Sequence, residues 1–166
     1  MSTRAKKPRI LHEYYLTACG RELEPSIEHL AVWGMRWARG QLSDHELDVE
    51  FLMRDLQRRL QTGRLPDGET VLCFSFTELD QFNSWWMLVS GADVDLCTEN
   101  PGKDVDLYIN TSVRQLAEVW RGDLDIKKAL RDKLTRTHGN KHLAQTMPDW
   151  LGICLYVDIK PAKSPQ

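Results

Sequence analysis

The amino-acid sequence predicts an α+β fold in which helices cover a mostly antiparallel sheet. Residues 94–109 alternate between apolar and acidic side chains around a Pro-Gly turn, a pattern typical of an antiparallel hairpin with one buried face. A predicted helix over 111–122 follows, with its apolar residues at the spacing that would pack on that face. From Thr70 onward the period is two, whereas the preceding residues follow helical spacing.

The N-terminal part predicts a short strand and two helices. Residues 11–17 are a candidate strand, and a helix follows over 20–39. Its apolar stripe is wider than a lone helix can hide, so we expect it to pack on another element or another subunit. The stripe consists of Leu23, Ile27, Leu30, Ala31, Trp33, Gly34 and Trp37. A break over 40–42 leads to a second helix, which starts at a Ser43–Glu46 capping box and ends near Gly63.

The second half predicts strands over 70–76 and 84–89, the hairpin and its helix, and then short elements. Asp123 and Asp125 are candidate N-caps of a helix reaching about residue 134. A short strand over 135–137 precedes a last helix, which Asn140 opens and Pro148 bends or ends early. Residues 154–159 are a candidate edge strand.

Size and composition indicate one full-sized domain, or one domain with an appendage, within the 166 residues. A net charge of -2 excludes a protein that binds polyanions over its whole surface. No apolar run follows the basic residues 4–9, so we expect neither a signal peptide nor a membrane span. The four cysteines are widely scattered, which favours reduced thiols in a cytoplasmic protein.

No motif for nucleophilic catalysis, phosphate loops or dinucleotide binding is present, so we expect a protein that is not an enzyme and needs no cofactor. His138 and His142 have a spacing that metal sites use, but we expect solvated histidines and no metal. The acidic residues 93–106 are expected on a solvated strand face rather than around a cation. Basic residues end the second helix, where they either complement its dipole or bind phosphate: Arg54, Arg58, Arg59 and Arg64.

One tryptophan of the adjacent pair Trp85-Trp86 points inward, and alternation does not decide which. The indoles of Trp85, Trp120 and Trp150 either fill the core or wall an apolar cavity.

Residues 13–34, EYYLTACGRELEPSIEHLAVWG, resemble the end of the winged-helix domain in HxlR-type bacterial transcriptional regulators. The resemblance implies a wing strand followed by a helix that contributes to a homodimer. It implies a dimer interface formed by Ile27, Leu30, Trp33 and Trp37. We expect DNA binding to be doubtful, because the chain starts at the wing strand and lacks a helix-turn-helix before it.

Residues 70–152 resemble the sterol-carrier-protein type domain, through the VDLC, PG and VDL segments, Val119 to Asp123, and Trp150-Leu151-Gly152. The resemblance implies a curved sheet and helices around an apolar tunnel for a small apolar or lipid-like ligand. The residues expected to line it are Leu72, Phe74, Trp85, Leu96, Leu107, Ile109, Leu116, Trp120, Met147 and Trp150.

The two resemblances together predict a wing-strand remnant and dimerisation helix over 1–41, a sterol-carrier-like binding domain over 42–160 and a loose tail over 161–166. The predicted function is non-enzymatic binding or sensing of the apolar ligand. The alternative is a regulator remnant that acts through dimerisation and through protein or weak DNA contacts.

Overall fold

A five-stranded sheet forms the centre of the protein, in a computed structural model that describes residues 14–39 and 43–162. The strands are β1 (Glu69–Phe76), β2 (Ser84–Ser90), β3 (Asp93–Cys97), β4 (Leu107–Thr111) and β5 (Arg136–Gly139). Their order across the sheet is β3-β2-β1-β4-β5. Only β1 and β4 run parallel, and the other pairings are antiparallel. The predicted α+β class with a mostly antiparallel sheet is therefore confirmed.

The predicted hairpin between β3 and β4 is wrong, because two other strands separate them. A two-residue turn with Gly91 at φ +62° joins β2 directly to β3, and loops of this length are the commonest connection in hairpins. β4 instead pairs with β1 in parallel, with Leu107 opposite Leu72. Alternation correctly identified Leu107 and Ile109 of β4 as buried, whereas β1 is buried on both faces and Val94 and Leu96 of β3 are only half-buried. Alternation also carries no information about the neighbouring strand.

Six helices accompany the sheet in the described part of the chain. They are α1 (Ala18–Trp37), α2 (Val49–Arg59), α3 (Val113–Arg121), α4 (Ile126–Arg131), α5 (Lys141–Gln145) and α6 (Met147–Trp150). Short 3₁₀ helices span Asp44–Glu46 and Thr62–Arg64. Asp125 and Asn140 cap α4 and α5, as predicted. The helix predicted to run to Trp150 is broken at Thr146, so that Pro148 lies in the first turn of α6.

The Ser43–Glu46 capping box is present, but it caps only the first 3₁₀ turn. Leu47 then adopts an extended backbone, and a second cap, Asp48, accepts the N–H of Phe51 and starts α2. The predicted single helix from residue 43 is therefore two elements.

Two predicted strands are absent where the structure describes them. Residues 14–17 are irregular, and the Thr17 hydroxyl caps α1 by accepting the N–H of Gly20. Residues 154–159 form no strand: 155–158 are turns, and the N–H of Cys154 donates to the carbonyl of Trp120, which joins the segment to α3 instead of a sheet edge. Residues 11–13, the predicted break at 40–42, the basic residues 4–9 and positions 163–166 lie outside the described residues.

The hydrophobic core lies between one face of the sheet and helices α2 to α6. Phe74 of β1 lies opposite Trp85 of β2, and both are almost fully buried. The indole of Trp85 therefore points inward, which answers the question that alternation left open. α1 adds only Met35 to the buried residues. None of the helices in these parts of the chain is both long enough and apolar enough to cross a bilayer.

Candidate ligand-binding site

An open cavity of about 420 Å³ lies between the C-terminal half of α1, helices α2 and α3, and residues 154–156. Such a volume is within the range of roughly 300–1,000 Å³ that small-molecule sites occupy. The lining residues are Ala31, Gly34, Met35, Ala38, Arg39, Phe51, Asp55, Arg59, Trp120, Arg121, Cys154 and Tyr156.

Apolar side chains form most of the walls. The rings of Phe51 and Trp120 meet edge to face, with centroids 6.2 Å apart and an interplanar angle of 88°. This geometry is the favoured one for neighbouring aromatic rings. Above them, α1 contributes Ala31 and Gly34, and a Cβ added at position 34 would meet no heavy atom within 4 Å. Small residues on this face of α1 therefore leave the space that the cavity occupies.

A buried carboxylate lies among these apolar walls. Oδ2 of Asp55 accepts a hydrogen bond from Nε of Arg59 at 2.6 Å and another from Nε1 of Trp120 at 2.7 Å. Asp55 is 8% exposed, so both bonds form largely out of water. The carboxylate therefore fixes the indole of Trp120 and the guanidinium of Arg59 at the wall of the cavity.

Two arginines share a second carboxylate beside the cavity. Nη2 of Arg39 lies 2.9 Å from Oδ1 of Asp123, and Nε of Arg121 lies 3.1 Å from Oδ2 of the same group. The side chains of Arg39 and Arg121 are only 9% and 8% exposed. Nη1 of Arg39 also donates to the carbonyl of Arg121 at 3.4 Å, whereas its buried Nε has no hydrogen-bond partner among the described residues. These contacts join the C-terminal end of α1 to the end of α3.

The sequence interpretation named Arg59 only as part of the basic run at the end of the second helix and missed Arg39, Asp55 and Arg121, although one signal was available. Asp55 and Arg59 lie three and seven positions after Leu52, on the stripe that also holds the buried Leu56. Arg121 lies four positions after the buried Ala117 of α3. Charged residues at the spacing of a buried helix face indicate a buried ionic group.

The ten residues predicted to line a ligand tunnel fall into three places. Trp120 lines the cavity described above, and Trp85 with Leu96 lines a separate groove that also contains Arg54 and Phe82. The other seven are, like Trp85 itself, buried in the hydrophobic core: Leu72, Phe74, Leu107, Ile109, Leu116, Met147 and Trp150. The set as a ligand pocket stays a prediction.

The four residues predicted to form a dimer interface lie on α1 with large exposed surfaces. Ile27 is 57%, Leu30 65%, Trp33 56% and Trp37 46% exposed. Their pairing with a second chain stays a prediction.

The remaining candidate groups do not form a common site. His138 lies on β5, where its ring neighbours that of Tyr108 at 6.4 Å, whereas His142 lies in α5. Within residues 14–39 and 43–162, no three histidine, cysteine or acidic side chains are grouped so that they could hold a metal. Arg54 of the basic run pairs with Glu50 at the surface.

The four cysteines are free thiols, and Cys73 differs from the others in its environment. It lies on β1 with 2% exposure, and burial raises the pKa of its thiol above the ordinary value, against a smaller opposing effect of its hydrogen bond with Ser75.

No family model and no curated protein matches the sequence. Among solved structures, the sec-alkylsulfatase Pisa1 from Pseudomonas sp. is 16% identical over 78% of this chain and 19% of its own, with a TM-score of 0.50. A double mutant of the same enzyme is 15% identical over 66% of this chain and 17% of its own, with a TM-score of 0.54. This chain thus spans less than a fifth of the alkylsulfatase structures, and the likeness shows a shared fold over that part.

A sterol carrier protein is also among the similar solved structures. Sterol carrier protein 2 like 2 from Aedes aegypti is 14% identical over 61% of this chain and 94% of its own length, with a TM-score of 0.44.

Proposed function

We propose that this protein binds a small apolar molecule in the cavity between α1, α2 and α3, and that it does so without catalysing a reaction. The open volume of about 420 Å³ beside Met35, Phe51 and Trp120 is the observation that carries the proposal. The resemblance of residues 70–152 to sterol-carrier-type domains supports the same class of ligand.

Binding in such a cavity draws on the burial of apolar ligand surface, which contributes about 25 cal/mol per Å². Part of this gain offsets the translational and rotational freedom that the ligand loses. The edge-to-face pair of Phe51 and Trp120 limits this cost on the protein side, because the hydrogen bond from Trp120 to Asp55 already holds the indole in place.

A substitution that fills the cavity tests its location. Gly34→Trp places an indole in the open space at position 34, whereas the control Gly34→Ala adds a single methyl group there. After addition of 1-dodecanol, we expect native mass spectrometry to show the bound molecule on the wild type and on Gly34→Ala, and none on Gly34→Trp. Absence of any saturable binding to the wild type in calorimetry would contradict the proposal.

The same pair of variants separates this cavity from the alternative location among the predicted core residues. A ligand between Leu107, Leu116 and Trp150 would lie on the sheet side of the helices, away from position 34. Binding that persists unchanged in Gly34→Trp would therefore favour the core location.

Self-association through α1 is the second candidate function. Residues 21–30 of this helix are exposed all around, including Leu23, Ile27 and Leu30. Contiguous exposed apolar surface of this kind is uncommon on monomers and typical of interfaces. Glu22, Glu24 and Glu28 outnumber Arg21 in residues 18–28, and Arg36 lies in the last turn, so that two antiparallel copies would bring opposite net charges together.

Sedimentation at several concentrations tests this second candidate. We expect a dimer that the double substitution of Ile27 and Leu30 by Asp separates into monomers. A wild-type protein that is monomeric at every concentration would dispose of it. A relation to HxlR-type regulators, and DNA contacts through the N-terminal residues, stay hypotheses that a salt-dependent mobility shift would test.

A further inference from the structure

We infer that this protein binds single-stranded nucleic acid along a basic surface formed by α4, β5 and the exposed face of β4. The basic surface consists of Lys127, Lys133, Arg136, Tyr108 and His138, and none of these residues lines the cavity between α1, α2 and α3. The inference therefore goes beyond the proposed function and does not rest on it.

The first argument is the uneven distribution of charge along the chain. Residues 126–142 contain six lysine or arginine side chains and one aspartate, a net charge of +5. Because the whole chain has a net charge of -2, all other residues together carry -7. Such an asymmetry within one protein is typical of a surface that binds a polyanion, which the acidic remainder of the molecule repels.

The second argument is that the cations of the basic surface lack counterions. Among the residues that the structure describes, no carboxylate lies within ion-pairing distance of Lys127, Lys133 or Arg136. These three side chains line one open cavity of about 570 Å³, so that their charges lie close together. A chain of phosphates would neutralise all three at once.

The third argument is the shape of the surface around these cations. Lys133 and Arg136 also line a second cavity, of about 380 Å³, so the two cavities adjoin at these residues. The second cavity contains the polar side chains of Thr77, Asn110 and Gln115. Hydroxyl and amide groups of this kind hydrogen-bond phosphates and base edges. The two cavities together form a basic groove with hydrogen-bonding groups at one end.

The fourth argument is an exposed aromatic pair beside the groove. Tyr108 of β4 lies opposite His138 of β5, and their rings are 6.4 Å apart with an interplanar angle of 38°. Tyr108 is 40% exposed whereas the residues on either side of it are buried, so its ring lies on the sheet face that turns away from the core. Arg136 follows two positions before His138 on the same face. Unpaired bases stack on exposed rings while their phosphates contact neighbouring cations, which is how single strands are bound.

An anionic membrane would also complement the charge, but it would use less of this surface. The apolar residues of α4 belong to the hydrophobic core or pack against it: Ile126, Ala129 and Leu130. This helix therefore presents lysines outward and no apolar stripe that could enter a bilayer. A single strand gains stacking on Tyr108 and His138 in addition to the charge contacts, so the arrangement favours nucleic acid.

The test is a fluorescence-anisotropy titration with a fluorescein-labelled oligothymidylate of twelve nucleotides. We expect saturable binding by the wild type, with an affinity that falls as salt rises and a log–log slope of about -2 for three phosphate contacts. Tyr108→Leu removes the ring and keeps every charge, so the affinity should fall about 5- to 100-fold at an unchanged slope. Arg136→Met removes one phosphate contact, so it should lower the affinity and also reduce the steepness of the slope by about 0.7.

Arg54→Met is the matched control. Arg54 is also an exposed arginine, but it pairs with Glu50 on α2 and lies outside the basic surface. Both the affinity and the slope should stay as in the wild type. Circular dichroism checks the fold of each variant, and if Tyr108→Leu does not fold, His138→Ala on the edge strand tests stacking in its place.

Three outcomes would overturn the inference. One is the absence of saturable binding to the oligonucleotide at low salt. The second is binding that Tyr108→Leu leaves unchanged and that sodium polyphosphate of equal charge matches in affinity, since the bases would then play no part. The third is binding to phosphatidylglycerol vesicles without binding to the oligonucleotide, which would assign the surface to membranes.

Discussion

Replacing Asp55 by alanine removes the acceptor of two hydrogen bonds at the wall of the cavity. One bond comes from Trp120 at 2.7 Å and the other from Arg59 at 2.6 Å. A hydrogen bond to a charged group contributes about 1.5–3 kcal/mol to stability. We count the Trp120 bond in full and discount the Arg59 bond to about 0.5–1 kcal/mol, because the Arg59 side chain is 26% exposed and water screens it. The expected loss is therefore about 2–4 kcal/mol.

Urea unfolding and thermal melting measure this loss. For a chain of this size about 1 kcal/mol corresponds to roughly 2–4 °C, so the melting temperature of Asp55→Ala should fall by about 4–16 °C. Asp55→Asn is the matched control, since its amide oxygen still accepts from Trp120. It should lose about 1.5–2.5 kcal/mol, because the neutral hydrogen bond that remains contributes about 0.5–1.5 kcal/mol.

A double-mutant cycle isolates the bond between Asp55 and Trp120. Trp120→Phe keeps an aromatic ring beside Phe51 but removes the Nε1 donor. We expect a coupling energy of about 1–2 kcal/mol between the two substitutions, as for residues in direct contact. Strict additivity of Asp55→Ala and Trp120→Phe, or a loss below about 0.5 kcal/mol for Asp55→Ala, would refute the reasoning, since ordinary surface substitutions stay within that margin.

The remaining predictions concern one glycine and one thiol. A Cβ at Gly152 would lie 2.5 Å from the Cβ and carbonyl oxygen of Arg59, so Gly152→Ala should destabilise the fold by about 1–3 kcal/mol in urea unfolding, whereas Gly63→Ala, with open space around it, serves as a control. An unaltered midpoint for Gly152→Ala would contradict that close approach. Burial raises the pKa of the Cys73 thiol, so at pH 8 this residue should react with iodoacetamide far more slowly than the exposed Cys19. Mass spectrometry measures both rates, and equal rates would argue against the burial of Cys73. The pKa of the Cys73 thiol is higher in the folded than in the unfolded state, so its contribution to stability is complete below the ordinary cysteine pKa. That contribution is lost as the pH rises through the raised pKa. Cys73→Ser should therefore reduce the loss of stability at alkaline pH.

The sequence predicted most of the elements, because their signals are local. Asp125 and Asn140 cap helices where the sequence placed them, and the alternation of β1 and β4 correctly identified Leu72, Phe74, Leu107 and Ile109 as inward-facing. These properties depend on a few neighbouring residues and on the period of the backbone.

Strand order and the cavity were not predictable in the same way. The pairing of β1 with β4 joins residues 35 positions apart, and nothing within either strand specifies its partner. The cavity depends on how α1 lies against α2 and α3, and three of its lining positions, Ala31, Gly34 and Ala38, matter for the side chain they lack. The hydrogen bond from Trp120 to Asp55 and the one from Arg39 to the carbonyl of Arg121 likewise arise only when distant segments meet.

One helix carries both an exposed apolar stripe and one wall of the cavity. The outer stripe of α1 includes Ile27 and Leu30, whereas Met35 and Arg39 of the same segment reach the cavity. A partner that binds the stripe therefore contacts the same helix that a ligand contacts in the cavity. Thermodynamic linkage then requires reciprocity: if occupancy of the cavity changes the affinity of α1 for a partner by some factor, the partner changes the affinity for the ligand by the same factor.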